Sequence, residues 1–552
     1  MQNWPINATK QFDLWPPFDP GRMIDFNPTH VRIADDLAFA IFRRESTPPV
    51  PGKGSIWVVQ VDTAMRPCAS PSMLLAQGED PRAVLVGGRV LVFYVRPETN
   101  ANGTVVGTSI ALAECDVSGQ SLVIGKHFQL PKHPLGGQAP AGNLSGWEKN
   151  WVPFRISDQQ VGLLYAHDPW DVLVLGVDAA QESRRFEGHH RSHGVQWSYG
   201  EVRGGTPPVA FDESHLVTFF HSSLMVGSRR LYMVGACVFE NRAPFRPVSF
   251  TREPLLVAPY KGGVSRFGWS HAHFGVLFPL GAECIDGDFQ LLCGIDDGEI
   301  GGILIDRVSL QSRLSVLGSV RRTTLHNYQG QAMPESGGPM LQVPHSVGGI
   351  AELSIIKFMN MVAGRGRTMV DVGAHIGFYT VALAPGFQRV ESFEPSRFQQ
   401  DWLKRNVDLN RFQHVRVHTA ALGEERGEAT LHVLSPDGGM NTLATDVAQS
   451  RQAIETYTCP VERLDSHGFR GVDLLKIDVE GFEMPVLRGA RQTISTWRPV
   501  ILIEVWEEAV RREPIRALLD ELGYTCEFMF TSAPELALCL PRERRHDYSW
   551  FF

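Results

Sequence analysis

Two hydrophobic patterns divide the chain. Up to about residue 310, short apolar runs carrying aromatic residues are broken by Gly, Pro and Asp turns, which predicts successive β-strands. Beyond about residue 345, apolar strands alternate with amphipathic runs at helical spacing, which predicts an α/β domain. The stretch between them, LHNYQGQAMPESGGPMLQVPHS, is rich in Pro, Gly, Ser and Gln, as a linker is. The expected organisation is two-domain: all-β over 1–310, a linker over 311–344 and α/β over 345–552. The length of 552 residues agrees, since single hydrophobic cores stop growing at roughly 250–300 residues.

The first domain repeats itself. The segments FNPTHVRIADDLAFAIFRRE, GEDPRAVLVGGRVLVFYVRP, EKNWVPFRISDQQVGLLYAHDP, RGGTPPVAFDESHLVTFFHSS and GVLFPLGAECIDGDFQLLCGIDDG share one plan. Each has a polar or glycine opening with a nearby proline, an apolar strand, a polar turn and a second apolar strand with aromatics. Five such copies predict a five-bladed β-propeller, because one blade cannot bury both faces and radial stacking can. The periodicity alone also fits a large β-sandwich.

In the second domain TMVDVG is an apolar strand ending at Asp371, and IGFYTVALA starts a helix after Gly373 and Gly377. The strand of VESFEP ends at Glu394, about 20 residues after the loop, where an acid can accept ribose hydroxyls. The glycines do not spell G-x-G-x-x-G. A dinucleotide needs its pyrophosphate on a glycine-lined helix start, whereas S-adenosylmethionine carries no phosphate, so the looser spacing favours the latter. The loop alone also fits a flavodoxin-like or other doubly wound domain. The order that follows is helix SRFQQDWLKRNVDLN, strand VRVHTAALG, a hairpin around EATLHVL, strand DLLKIDVEG, helix MPVLRGARQTISTW, strand VILIEVW, helix PIRALLDELGY, then TCEFMF and LALCL. It predicts the seven-stranded, Rossmann-like sheet of a class I methyltransferase, its last strand inserted antiparallel.

Charge and composition narrow the partners. A formal charge of −8 and a pI near 6.2 leave no basic footprint, which argues against nucleic acid as the main partner. The eight cysteines (68, 115, 237, 284, 293, 459, 526 and 539) include no C-x-x-C pair, so reduced thiols are expected rather than zinc or a disulfide framework. The N-terminal segment has no leader pattern and no apolar stretch reaches membrane-spanning length, so a cytoplasmic protein is expected. The tail PRERRHDYSWFF is expected to dock on its own domain. GHHRSHG at 188–194 and SHAH at 270–273 read as solvated loops or partners of sugar hydroxyls, and no metal is assigned to them. Homo-oligomerisation is left open.

The motifs GEDPR (78–82), KNW (149–151), GGTPP (204–208), HSS…LYMVGACVFE with PFRPVSFTREPLLVAP, and FPLG…CGIDD span the first half in order. In these motifs the chain resembles the propellers of glycoside hydrolase family 130, the mannoside phosphorylases and hydrolases, and their transferase relatives. The resemblance implies that Asp80 is a general acid with Arg82 beside it on sugar or phosphate. It also implies a central pocket lined by Lys149, Asn150, Arg203, His221 and Asp297. The full basic set that holds phosphate in the phosphorylases is not placed. From the residues alone, Asp-Pro and Gly-Gly-Thr-Pro-Pro are equally turn chemistry, with Arg82 paired to a carboxylate.

VDVGAHIGFYT, FEPS, LLKIDVEGFE and ILIEV, within about 345–530, resemble the FkbM family of methyltransferases. The resemblance implies methyl transfer from S-adenosylmethionine to an oxygen, commonly a hydroxyl of a sugar or secondary metabolite. His375 stands where many members carry Asn. Asp371, Gly373, His375 and Gly377 would cradle the methionine end, Glu394 the ribose, and Ala420 with Leu422 the adenine. In-line transfer to a hydroxyl mainly requires alignment of the acceptor and relief of its proton. Asp478 and Glu480 end the fourth strand beside the methyl, so Asp478 is the expected base or acceptor anchor, with Glu483 and Glu504 second. Asn441 and Thr442 are placed on the substrate, or in a turn. The strand-end acids would admit a divalent ion, but Glu480 and Glu483 equally charge a helix's first turn, and no metal is assigned.

The expected function is S-adenosylmethionine-dependent O-methylation of a glycan or sugar-containing molecule, fused to a sugar-active propeller. The alternatives are a monofunctional methyltransferase with a carbohydrate-binding propeller, a non-sugar hydroxyl as acceptor, and, last, an oxidoreductase use of the glycine loop.

Overall fold

The computed structural model describes residues 8–12, 23–46, 52–102, 104–134, 148–178, 182–195, 197, 199–226, 229–258, 272–316, 326–328, 339–342, 353–434, 439–449, 451–505, 509–530 and 535–544. Most of the expected linker and of the basic-aromatic tail, and the start of SHAH, lie outside them. The chain divides into two compact units, one chiefly Gln2–Leu224 with Arg230–Val320, the other chiefly Arg321–Ser549. The first unit therefore extends past residue 310. Asp306 caps the helix Arg307–Arg313 by accepting Ser309 N at 2.6 Å, and the strand Leu314–Val316 then pairs with Pro247–Thr251.

Among the described residues the first unit forms five sheets, four of them four-stranded. The first three, in chain order, begin with Met23–Ala34, Glu79–Val86 and Val152–Arg155. The fourth and largest is built around His215–Val226 and Arg229–Glu240, and the fifth joins Leu277–Ile285, Asp288–Ile295 and Glu299–Ile305 to Ala8–Phe12. Residues from the two ends of the unit thus share one sheet. Alternating side chains place apolar faces between sheets. Ile41 and Val58 cluster with Val92 and Ala111, Phe93 and Leu112 with Leu163 and Leu173, and Phe154 and Leu164 with Phe220 and Phe239. Phe219 and Val234 cluster with Phe289 and Leu291, and Leu292 and Ile300 with Ala40 and Val59 of the first sheet. Each Val, Leu, Ile or Phe among them contributes about 1.5–3 kcal/mol of burial.

The second unit is built on a seven-stranded sheet. Its order is Val415–His418, Phe387–Phe393, Gly366–Val372, Val472–Ile477, Val500–Val505, Glu535–Pro541, Tyr524–Phe530. The first five run parallel and Glu535–Pro541 is antiparallel to both neighbours. Val370, Val372, Leu475, Ile477, Ile501 and Ile503 are buried in one cluster, which explains why these strands read as continuous apolar runs. VRVHTAALG does not form one strand, because Ala421–Leu422 leaves to pair with Glu455–Glu462 in a separate three-stranded sheet. MPVLRGARQTISTW breaks into Glu483–Gly489 and Arg491–Trp497. At the break Gly489 packs so closely that an added Cβ would lie 1.9 Å from the Gly423 carbonyl oxygen. Among the described residues no helix is long and apolar enough to cross a membrane, and all eight cysteines are free.

Candidate functional site

One buried polar cluster in each unit gathers the residues singled out from sequence. In the first, Asn27, Asp80 and Asn150, within or just before the first strands of three sheets, and Asp297, in the turn before Glu299–Ile305, lie in the left-handed region, with φ of 51, 47, 64 and 50°. Such strain persists where surroundings over-determine it, and functional sites are enriched in it. Asn27 Nδ2 donates to Asp80 Oδ1 at 2.7 Å. Arg82 is fully buried and donates to the carbonyls of Gly204 (3.0 Å) and Gly205 (2.9 Å) and to Asn150 Oδ1 (3.3 Å). Arg43 contacts Glu45, Glu79 (3.2 Å) and Asp80 (3.4 Å), and Lys149 lies 4.0 Å from Glu79.

Two acids of this cluster, Asp80 and Asp297, respond to it differently. Burial pushes the Asp80 carboxyl up, but Arg43, Lys149, Asn27 and Arg82 together hold it below the usual range. Burial first, then Asp80 itself, pushes Asp297 up to about 7. His221 is held well below its ordinary value by burial and by Arg203 and Arg82, so it is neutral. Asp80, Arg82, Lys149, Asn150, Arg203, His221 and Asp297 thus share one electrostatic neighbourhood, although Arg203 is turned toward Glu201 at 2.9 Å. Arg43, Glu79 and Asn27 belong to it too. Sequence reading missed Arg43 and Asn27 because only the packing of neighbouring sheets brings them to Asp80, whereas Glu79 is in view as its chain neighbour.

In the second unit the acids converge on the carboxyl edge of the sheet, where Gly366–Val372 has neighbours on both sides. Asp371 is fully buried; Thr380 Oγ1 donates to its Oδ2 at 2.6 Å, and Lys476 Nζ lies 3.5 Å from its Oδ1. Lys476 Nζ also reaches Asp478 Oδ2 at 3.1 Å and donates to the Gly373 carbonyl at 2.8 Å. This lysine, missed in LLKIDVEG, ties the glycine loop to the fourth strand. Gly373 (φ 75°) is required there, since a Cβ would lie 1.8 Å from the Asp478 carbonyl oxygen. Gly377 (φ 98°) opens the helix Phe378–Leu383.

Glu394 accepts the backbone N–H of His375 and of Ser396, both at 2.8 Å, leaving a further lone pair on each oxygen. Burial raises it to about 7 against those two bonds. Glu483 is likewise raised to about 7 by burial, while it accepts Gly481 N at 2.8 Å. Asp478, Glu480 and Glu504 bring one carboxylate oxygen each within 4.8 Å of one another. Thr442 Oγ1 donates to the Glu480 carbonyl (2.7 Å) and so braces the turn beside the strand-end acids, whereas Asn441 Nδ2 reaches Gln399 (3.4 Å) on the helix Arg397–Leu409. Ala420 and Leu422 are buried, and Leu422 is part of the main core.

Residues 371–526 match the family described as the methyltransferase FkbM domain. A curated relative, Methyltransferase 1 of Beauveria bassiana, is 28% identical over 177 residues, covering 28% of this chain and 71% of the relative. The crystal structure of methyltransferase FkbM from Methylobacillus flagellatus is 19% identical with a TM-score of 0.24; the match covers 34% of this chain and about half, 53%, of that one. The β-1,2-mannobiose phosphorylase of Listeria innocua, solved with β-1,2-mannobiose, is 14% identical with a TM-score of 0.38, covering 57% of this chain and 98% of that one.

Proposed function

We propose that the chain is an S-adenosylmethionine-dependent O-methyltransferase acting on a hydroxyl of a glycan or glycosylated metabolite. Its first unit is read as a five-bladed propeller that handles the same class of sugar. The observation that carries the methyltransferase reading is the convergence of Asp371, Glu394 and Asp478 on one sheet edge around Gly373 and Lys476. The cycle of five shared cores supports the propeller, because stacking blades in a ring buries both faces of each.

The residues fit the cofactor. Glu394 offers open lone pairs to a ribose diol, and Asp371 with the 373–377 turn faces the amino-acid end. In GAHIG, His375 stands where G-x-G-x-x-G has the second glycine that lets the backbone approach a pyrophosphate. When bound, S-adenosylmethionine supplies a methyl group already activated on a sulfonium. The chain must then orient the acceptor and take its proton. Asp478 is the base or acceptor anchor, positioned by Lys476. Glu483, with a value near 7, is poised to receive a proton nearby.

One observation favours a carbohydrate-binding first unit. Asp80 is held ionised by Arg43 and Lys149, so proton donation at neutral pH requires a substrate that displaces them, whereas Asp297 retains a proton to about pH 7. The test is transfer from methyl-labelled S-adenosylmethionine to mannose-type oligosaccharides. Label on a sugar hydroxyl, lost in Asp478→Asn and kept in Asp80→Asn, is the expected result. Label reaching only non-sugar hydroxyls would refute the sugar reading.

A further inference from the structure

We propose that His133, Asp171 and His189 bind one divalent transition-metal ion of the zinc class. His133 follows the last strand of the second sheet, while Asp171 and His189 lie on Trp170–Gly176 and Phe186–Ser192 of the third. The segment GHHRSHG, read from sequence as a solvated loop, is for the most part strand. Asp171 pairs with Arg191 and Leu173 with His189, so Asp171 and His189 sit diagonally on one face.

The distances suit shared coordination. His189 Nε2 is 2.9 Å from Asp171 Oδ1, and His133 Nε2 is 3.5 Å from each carboxylate oxygen. One ligand atom from each residue lies within 4.8 Å of the other two. Around zinc, with bonds of about 2.0–2.2 Å, tetrahedral ligand–ligand edges run roughly 3.3–3.6 Å. Little movement is needed to seat an ion.

A second observation points the same way. Asp171 is fully buried and, among the described residues, its Oδ2 has no hydrogen-bond partner. The cationic groups recorded near that oxygen are His133 Nε2 at 3.5 Å and Arg191 Nε at 3.8 Å, both beyond hydrogen-bond length. A buried acceptor left unbonded is costly, and an ion at this point would satisfy it. Two imidazoles and one carboxylate suit zinc-class ions better than magnesium or calcium, which prefer oxygen-rich sets. His133 is packed on Tyr165, ring centroids 4.1 Å apart. His189 is 29% exposed, leaving an entry path and room for water as a further ligand. Arg191 opposes the ion, but its side chain is 41% exposed and can turn into solvent. The ion would clip the second sheet to the third.

The test uses the full chain stripped of metal by a chelator and titrated with zinc against a chromophoric competitor, then with cobalt(II) read by its visible spectrum. One equivalent is expected, with affinity falling about tenfold or more in His133→Gln and in His189→Gln. Zinc should raise the thermal midpoint of the parent but not of His189→Gln, whose partly exposed site keeps the fold intact. Absent uptake, or uptake that neither substitution weakens, would show that the cluster is an ion pair of Asp171 with its neighbours. Cobalt bands of thiolate origin would place the ion on exposed Cys68 or Cys284 and equally overturn the proposal.

Discussion

Asp80 in one buried cluster and Glu394 and Glu483 in the other are shifted in opposite directions. In the β-rich unit Asp80 is surrounded by Arg43, Arg82 and Lys149, which hold it below the ordinary range despite its burial. In the α/β unit Glu394 and Glu483 are braced mainly by backbone N–H groups, and burial lifts both to about 7. The neighbours, rather than the depth of burial, decide the sign. The backbone does not share this division: Asp80 and Asn150 in one site and His375 and Glu480 in the other are left-handed without being glycine, and Gly204 and Gly373 each let elements approach closely.

The largest expected effect comes from filling the glycine spaces. Gly373→Ala sets a Cβ 1.8 Å from the Asp478 carbonyl oxygen at φ 75°, and Gly204→Ala sets one 2.1 Å from the Asn150 carbonyl oxygen. Each should cost about 3 kcal/mol or more of its own unit's stability. Gly373→Ala should lose S-adenosylhomocysteine binding, and Gly204→Ala should keep it. Thermal melting with titration on both variants checks this, and equal loss of binding would break the contrast.

The next contrast is electrostatic and has a sign. Asp297 is raised when folded, so its contribution is fully present below about pH 4 and is lost as pH climbs to about 7. Asp297→Asn should therefore stabilise the β-rich unit at pH 8, on the order of 1–3 kcal/mol, with little effect at pH 4. Asp80 is lowered when folded, so its contribution is present above its ordinary value and is lost as pH falls through the folded value. Asp80→Asn should destabilise by roughly 2–4 kcal/mol at neutral pH, because Arg43 loses a buried partner. Denaturant midpoints from pH 4 to 8 measure both, and shifts of the same sign would refute the account.

The smallest effect sharpens the second site. Thr442→Val removes the bond to the Glu480 carbonyl and the acceptor for Ala444 N, and should cost about 1 kcal/mol. If Thr442 only braces the turn, the KM for an acceptor should rise with kcat little changed. A collapse of kcat would instead place it on the reacting atoms.

What could be read in the sequence was local. TMVDVG, the glycines at 373 and 377, and Glu394 near 20 residues on mark a strand, a turn and a second strand, because period and spacing are set within one stretch of chain. What could not be read depends on distant segments meeting. Lys476 sits opposite Asp371 only because strands more than a hundred residues apart are register partners. Arg43 and Asn27 reach Asp80 only through packing of adjacent sheets, and Ala8–Phe12 joins the last sheet from the other end of the unit. Apolar patterns at Ala421 and Gly489 gave no sign of the strand that leaves its sheet or the helix that restarts.

The most direct measurement is isothermal titration of the full chain with S-adenosylhomocysteine, beside Glu394→Gln. The account expects binding that the substitution weakens about tenfold or more, the share of a hydrogen-bonded charged group. It also expects the variant to remain folded, its melting lowered by no more than the loss of one of the two N–H bonds, about 1–3 kcal/mol, because the amide keeps one acceptor oxygen for His375 N or Ser396 N. Equal affinity in parent and variant, or no binding by a folded parent, would contradict the central claim that this strand-end acid holds the cofactor.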